Sequence, residues 1–423
     1  MSHPDTSDDD PPAPGGMAVS SLARRAGAGG LNSRWAFVSL VTLIYWLGPQ
    51  SIRLFYPLEL QELGASDFTI GVGVGVGSIA GLLLAVPSGY FLDSINSQRF
   101  LIFTTCGLAV TTGCFALVQS VITMIGLMFL QGMFQMWVWL ALQSMITRVG
   151  SGPRSLRQLS MFSLAWGIGL AAGPSVAAWV YGTWGFDVLS LTCGLFVLAG
   201  TVSALFLPHA LRQVRSADVG QEVAGDEAQP GVGIVAALRR SFHDPVVIAV
   251  MVSSFVNLFV QSLRLSFYPV FLERGDVSVN MIGLLLSAIG ASSLVIRVFL
   301  PTVVRRYGQV KPLLVSTWIA IVGVSMTPLS YNLVFLFVGA LMIGAGLGAN
   351  PPITVNLLAE SGGRDNGIAV ALRMVANRTA QVVQPLLFGG LAALAGLAMA
   401  FPVSGVLLGG AAVWMARRLK NID

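Results

Sequence analysis

Residues 50–57 read QSIRLFYP, and residues 261–269 read QSLRLSFYP. The two stretches begin 261 − 50 = 211 residues apart, or 212 after the inserted Ser266, which is half of the 423-residue chain. Each copy lies inside a long apolar run, where a charged side chain is costly unless it faces water, a partner or a ligand. The repetition therefore predicts a duplicated membrane protein that uses Arg53 and Arg264 in equivalent ways.

The composition restricts the class of protein. Hydrophobic residues make up 55% of the chain and charged residues only 10%, too few to cover a soluble protein of this length, so we predict a polytopic membrane protein. The net charge of +5 reflects basic cytoplasmic loops rather than a nucleic-acid partner. The three cysteines are scattered, and the three histidines lie outside the apolar runs. This pattern predicts no metal site and no cofactor.

Apolar runs of about 20 residues can cross a bilayer as helices. The chain contains twelve such runs: 35–57, 68–92, 100–119, 121–145, 158–182, 187–208, 246–272, 281–303, 312–330, 333–357, 367–394 and 397–416. We therefore predict an all-α membrane protein with two six-helix bundles, 34–208 and 246–417. The bundles are joined by a polar cytoplasmic linker, 209–245, and flanked by a disordered cytoplasmic tail, 1–33, and a short tail, 418–423.

The basic residues predict the orientation. With the N-terminus inside, 18 of the 24 Lys and Arg residues lie on the cytoplasmic side, and Arg274 is the one basic residue placed outside. Cytoplasmic loops carry this excess of positive charge. The prediction is a multi-pass protein of the inner (cytoplasmic) membrane with both termini in the cytoplasm.

The repeat extends beyond the arginines and leads to a family. Gly71 matches Gly283, 212 residues later, and Gly173-Pro174 matches Gln384-Pro385, 211 residues later. The loop after the second run reads GYFLDSINSQR, residues 89–99. With these features the chain resembles the major facilitator superfamily of transporters, whose loop signature has the skeleton Gly-x3-Asp-x5-Arg.

The resemblance implies a monomer in which two six-helix halves rock about a central site, with spans one, four, seven and ten around the cavity. It also implies that Gly89, Asp93 and Arg99 latch the cytoplasmic side; the alternative is an ordinary positive loop. The second-half loop, residues 305–311, lacks the aspartate, so the latch would be asymmetric. The motif Gly169-x3-Gly173 with the following proline is similar to that of exporters, but incomplete.

Polar residues within the four cavity spans fall on helical faces. We predict that they bind substrate, together with one residue of span eleven: Gln50, Arg53, Tyr56, Gln131, Gln135, Trp139, Asn257, Gln261, Arg264, Tyr268, Asn350 and Asn377. Asn350 precedes Pro351-Pro352, which predicts a local helix break that frees carbonyls toward the cavity.

Arg53 and Arg264 are the leading candidates for recognising an anion. A guanidinium stays charged and matches the planar fork of a carboxylate or phosphate. The alternative is that both side chains extend to the outer headgroups, because each lies close to a proline near the outer end of its span.

Other residues are candidates for gating and coupling. Arg373 and Arg378 in span eleven form an inner gate or part of the substrate path; the alternative is a structural role, in which both pair with Asp93, Glu360 or carbonyls at helix ends. Glu59 is the one carboxylate near Arg53 that we name as a coupling group, because Asp and Glu are absent from the middle of the spans. Where many proton-coupled relatives carry an arginine in span four, this chain has Gln131.

The sequence thus predicts a secondary active transporter of a small organic, anionic solute, with a counter-transported ion or a proton left open. The alternative within the same class is efflux of drug-like amphiphiles, with structural arginines. An enzyme would need a nucleophile, a base or a metal cluster at depth, and the spans offer none, so we predict no catalytic residues.

Overall fold

The computed structural model describes residues 39–84, 97–147, 153–205, 239–360 and 366–419, and every regular element in these ranges is a helix. We number the helical segments α1 to α12 after the twelve predicted spans. The first half contains α1 (39–47, Pro49–Ile52 and Tyr56–Glu62), α2 (Asp67–Leu83), α3 (Ser97–Cys114), α4 (Val121–Thr147), and α5 and α6, the two parts of Pro153–Leu205. The second half contains α7 (Pro245–Leu265 and Phe267–Arg274), α8 (Val279–Tyr307), α9 (Val310–Ser325), α10 (Leu333–Glu360), α11 (Asn366–Ala395) and α12 (Leu397–Leu419).

Eight helices in the described ranges are long and apolar enough to cross a membrane by themselves. One of them, Ser163–Val202, is 40 residues long and holds two spans, because Gly185 adopts φ +84° and separates α5 from α6. The other three predicted spans, α1, α2 and α11, do not reach this length and hydropathy within the described residues. α1 is broken into pieces, the described apolar part of α2 is short, and α11 carries Arg373 and Arg378.

The repeated stretch breaks α1 and α7 at equivalent places. α1 turns at residues 53–55 and restarts at Tyr56, whereas α7 is interrupted at Ser266 and restarts at Phe267. Pro57 and Pro269 lie in the first turns of the restarted helices. A proline ring clashes with the carbonyl four residues earlier and is tolerated in a first turn. The duplicated prolines thus interrupt both helices next to the duplicated arginines.

The two halves meet through the residues that repeat. A Cβ atom added to Gly71 in α2 would overlap the carbonyl oxygen of Pro385 in α11. A Cβ added to Gly283 in α8 would lie 2.8 Å from the carbonyl oxygen of Pro174 in α5. Each glycine therefore lets its helix pack closely on the proline-bearing helix of the other half, which is the arrangement that a pseudo-twofold axis produces.

That axis can be located at one end of the bundle. The "distal end" here means the end that holds the connections 63–66 and 275–278, opposite the end where α1 begins and α12 finishes. There the amide of Gln61 donates to the carboxylate of Glu273. The two residues are 212 positions apart and occupy equivalent places in the repeat, so the axis passes between them.

The helix break predicted at Pro351-Pro352 is wrong, because α10 continues through both prolines to Glu360. Pro351 has no N–H for the carbonyl of Leu347. The side-chain amide of Asn257 in α7 lies 3.5 Å from that carbonyl oxygen and supplies a donor. The carbonyl of Leu347 therefore has a hydrogen-bond donor within the helix bundle, and the helix continues without a break.

Candidate functional site

A small pocket lies at the repeated break. Its volume is about 20 Å³, close to what a single water needs. The first half supplies most of the wall, and α7 contributes one residue. The lining residues are Arg53, Tyr56, Val74, Gly77, Met128, Gln131, Gly132, Gln135 and Leu265.

Hydrogen bonds hold the tyrosine and glutamine side chains of the pocket. The hydroxyl of Tyr56 donates to Oε1 of Gln131, and Nε2 of Gln131 lies 3.4 Å from the hydroxyl of Thr112. The ring of Tyr56 is stacked on Phe115, with centroids 4.5 Å apart. Nε2 of Gln135 is buried without a partner in the described residues, which leaves a donor for a bound molecule.

Arg53 is held only weakly by the protein. Its Nη1 lies 3.5 Å from Oε1 of Gln50, whose own Nε2 donates to the hydroxyl of Tyr45 at 3.0 Å. Among the described residues no carboxylate forms a salt bridge with Arg53. Arg53 is thus a guanidinium within the bilayer region with few partners among the described residues.

A second arginine approaches the pocket from the other half. Nη2 of Arg378 in α11 lies 3.2 Å from Sδ of Met136 in α4, and its Nη1 donates to Gln381 at 3.1 Å. The sequence pairs Arg53 with Arg264 through the repeat, whereas the structure places Arg378 on Met136, one residue after the pocket residue Gln135.

The other candidates of α7 are placed differently. Arg264 is 5% exposed, its Nε has no partner among the described residues, and it does not line the pocket. Tyr268 is 2% exposed, and Gln261 is partly exposed. Arg264 thus remains a buried cation without a described counter-charge.

Several predicted residues contact neighbouring helices. Asn257 approaches carbonyls of α10, and Asn350 donates to the carbonyl of Ser253 in α7 at 3.2 Å, so the two asparagines join α7 to α10. Arg373 donates from Nε to the hydroxyl of Thr354 at 3.2 Å. Oδ1 of Asn377 is buried without a partner in the described chain, and Trp139 packs edge-on against Trp46.

Of the predicted cytoplasmic latch, Gly89 and Asp93 lie outside the described residues, and Arg99 is exposed.

Sequence reasoning missed a cross-half contact at the distal end. The fork of Arg274 in α7 reaches Asp67 of α2 at 2.5 and 3.2 Å, and its Nε donates to Gln61 at 2.7 Å. The low count of basic residues on that side was a signal that Arg274 has a specific partner.

Reversing one charge of this distal pair should destabilise the closed distal end, and reversing both should restore it. The pair is partly exposed, at 36% and 16% for the two side chains, so the loss in either Arg274→Asp or Asp67→Arg amounts to about 1 kcal/mol or less. We expect both single variants to lower the Tm and the double variant to recover most of it. Equal Tm values in the wild type and the three variants would show that the ion pair between Arg274 and Asp67 does not stabilise the protein.

Glu59 lies two residues beyond the end of the predicted first span, 35–57. Burial, with smaller contributions from Glu62 and Asp187, raises the pKa of its carboxyl from the usual 4.5 to about 7. The hydroxyl of Tyr181 donates to Glu62 at 2.8 Å, so the neighbouring acid has a partner. Glu59 is therefore a carboxyl that takes up a proton near neutral pH.

This raised pKa predicts how stability depends on pH. The folded protein binds the proton of Glu59 more tightly than the unfolded chain, so stability falls as the pH rises from about 4.5 to 7 and is level above that range. Glu59→Gln should remove this part of the dependence in a Tm series, with Glu360→Gln, an exposed carboxyl at the opposite end, as the matched control. A slope that persists unchanged in Glu59→Gln would assign it to another group.

Two helical halves related by a pseudo-twofold axis, with buried arginines and a pocket at the broken helices, define a multi-pass membrane transporter. The chain belongs to the Major Facilitator Superfamily, whose sequence profile matches residues 38–329 and 250–421. The predicted family and the twelve-span all-helical fold are thereby confirmed.

Individual relatives are distant. The chain is 21% identical over 316 residues to a protein described as a multi-drug resistance efflux pump PmrA homolog from Lactococcus lactis subsp. lactis (strain IL1403), covering 72% of this chain and 75% of that one. It is 18% identical over 200 residues to Major facilitator superfamily domain-containing protein 6-like protein B of Xenopus laevis, covering 47% of this chain but only 33% of that relative.

Solved structures share the fold. A point mutant of the nucleoside transporter NupG superimposes with a TM-score of 0.74 at 13% identity over 92% of this chain and 99% of its own. A bacterial homolog of the human lysosomal transporter Spinster, in an inward-facing and unoccupied conformation, gives 0.70 at 13% identity, covering 92% and 96%. At these identities the likeness shows the architecture alone.

Proposed function

We propose that this transporter moves a small organic anion across the inner membrane as a secondary carrier, by alternating the exposure of the pocket at Arg53. The observation that supports this most directly is a pair of arginines from opposite halves, with no described carboxylate to neutralise either: Arg53 lines the pocket, and Arg378 contacts Met136, one residue after the pocket residue Gln135. An anion bound between them would contact both halves at once. Its binding would therefore be coupled to the relative position of the halves.

The surrounding groups suit a carboxylate or phosphate attached to a small polar body. Tyr56 and Gln131 present a fixed polar edge, and Gln135 keeps a donor free. Exchange of one anion for another fits the site better than proton symport, because the described pocket is lined by no carboxyl group. Both termini would face the cytoplasm.

Efflux of amphiphilic compounds is the second candidate. The Lactococcus lactis relative bears the name of a multidrug efflux pump, and aromatic residues of α1, α4 and α5 pack together beside the pocket. In that case the arginines would serve structure, and anions would have no advantage over cations.

A counterflow assay in proteoliposomes distinguishes the two. Proteoliposomes would be loaded with a mixed set of organic anions, cations and neutral amphiphiles, and uptake of each labelled compound would be followed in wild type and Arg53→Met. Anion uptake that disappears in the variant supports the anion carrier. Uptake of cations or amphiphiles that is equal in both proteins supports efflux and rejects the anion proposal.

A further inference from the structure

Arg297 is a cation that the proposed site leaves unused. It lies in α8, ten residues before the helix ends at Tyr307, and its guanidinium carbon is 4.4 Å from the ring centroid of Trp166 in α5. Gly290 and Leu294, seven and three residues earlier, also pack against α5. Because this spacing keeps all three residues on one helical face, Arg297 lies in the interface between the halves.

The tryptophan beneath Arg297 belongs to a larger aromatic group. The rings of Trp166 and Trp46 are 5.5 Å apart, and Trp46 packs edge-on against Trp139 at 6.2 Å. We call Trp46, Trp139, Trp166 and Arg297 the aromatic site. Trp139 follows the pocket residue Gln135 by four residues, or about one turn of α4. The aromatic site therefore adjoins the central pocket on the side away from the distal end.

The aromatic site contains donors without acceptors. Nε1 of Trp46, Nε1 of Trp166 and Nε of Arg297 are all buried, and none has a hydrogen-bond partner among the described residues. No described carboxylate forms an ion pair with Arg297. Buried donors without acceptors are unfavourable, and a ligand that brings acceptor oxygens removes that penalty.

The guanidinium of Arg297 uses its flat face to contact the Trp166 ring, which leaves the N–H groups at its edge available. A cation held over an indole face keeps its in-plane N–H groups available, and these match the two oxygens of a carboxylate. The neighbouring indoles offer flat apolar surface on which a ring can pack. One small molecule satisfies both features if it joins a carboxylate directly to an aromatic ring.

We propose that the aromatic site binds an aromatic carboxylate, with its oxygens on Arg297 and the indole N–H groups and its ring against the tryptophans. The role of the aromatic site in transport, as a second binding site on the path to Arg53, rests on the proposed function. The binding itself does not, because it requires neither Arg53 nor Arg378.

The test is calorimetric titration of the detergent-purified protein with benzoate, benzyl alcohol and cyclohexanecarboxylate, which separate the charge from the ring. We expect benzoate to bind wild type at millimolar concentration and each of the other two to bind about tenfold more weakly. Arg297→Ala should weaken benzoate by about tenfold or more, with Arg297→Lys and Trp166→Phe intermediate. Arg305→Ala, an exposed arginine of the same helix, is the matched control and should bind as wild type does.

The outcomes separate the two proposals. Benzoate binding that survives in Arg53→Met but is lost in Arg297→Ala supports the aromatic site whatever the transport assay shows. Binding lost in Arg53→Met and kept in Arg297→Ala places benzoate in the central pocket and overturns the aromatic site. Failure of wild type to bind benzoate also overturns it. So does a lowered Tm with unchanged affinity in Arg297→Ala, which would make Arg297 a structural contact between α5 and α8.

Discussion

Arg53→Met is expected to abolish anion transport while raising the Tm of the protein. Loss of a buried charge that contacts the ligand costs about 2–5 kcal/mol of binding, so transport should fall by roughly 30-fold or more. The side chain has one weak hydrogen bond, to Gln50, and no described ion pair, so an uncharged residue of similar volume removes a desolvation penalty from the folded state. Opposite changes in function and stability are the signature of a residue kept for a ligand.

Arg378→Met should show the same loss of transport with a smaller gain in Tm, because this arginine keeps hydrogen bonds to Gln381 and Met136. Transport would be measured as anion counterflow and stability as Tm in detergent, with Arg305→Met as the exposed control. If Arg53→Met lowers the Tm and retains transport, Arg53 serves the fold, and the anion site must be sought elsewhere.

Gly71→Ala is expected to destabilise the protein strongly for so small a change. The added methyl group would overlap the backbone carbonyl of Pro385, which cannot rotate away as a side chain can. Overpacking of this kind costs about 1–3 kcal/mol. Gly283→Ala, in the equivalent position against Pro174, should behave in the same way.

Gly126→Ala is the matched control for both variants, because a Cβ at Gly126 in α4 meets no atom within 4 Å. There alanine should leave the Tm unchanged or raise it, since alanine is favoured over glycine in a helix by up to about 1 kcal/mol. A Tm for Gly71→Ala equal to that of Gly126→Ala would mean that α2 and α11 do not pack as closely as described.

Much of the fold could be predicted because membrane helices leave a strong signal in the sequence. Runs of apolar residues give the spans, and the repeat gives the symmetry before any contact is known. The breaks in α1 and α7 follow from Pro57 and Pro269. Pro351-Pro352 misled the same reasoning, because the donor that compensates, Asn257, comes from another helix.

The candidate site was less predictable for the same reason. The repeat shows that Arg53 and Arg264 are equivalent, but equivalence under a twofold axis does not imply proximity. Arg378 reaches the pocket region only because α11 packs beside α2, where Gly71 allows it. The ion pair of Arg274 with Asp67 likewise joins two helices that are far apart in sequence.

The contact between Gln61 and Glu273 shows what one fused chain can do that a pair of identical subunits cannot. On the axis of a symmetric dimer every residue faces its own copy, so a glutamate there would oppose a glutamate and repel it. Here the equivalent positions differ, and an amide donates to the carboxylate instead. The distal contact thus depends on a difference between the two halves at this position, and Gln61→Glu would place two carboxylates on the axis, where they would repel each other.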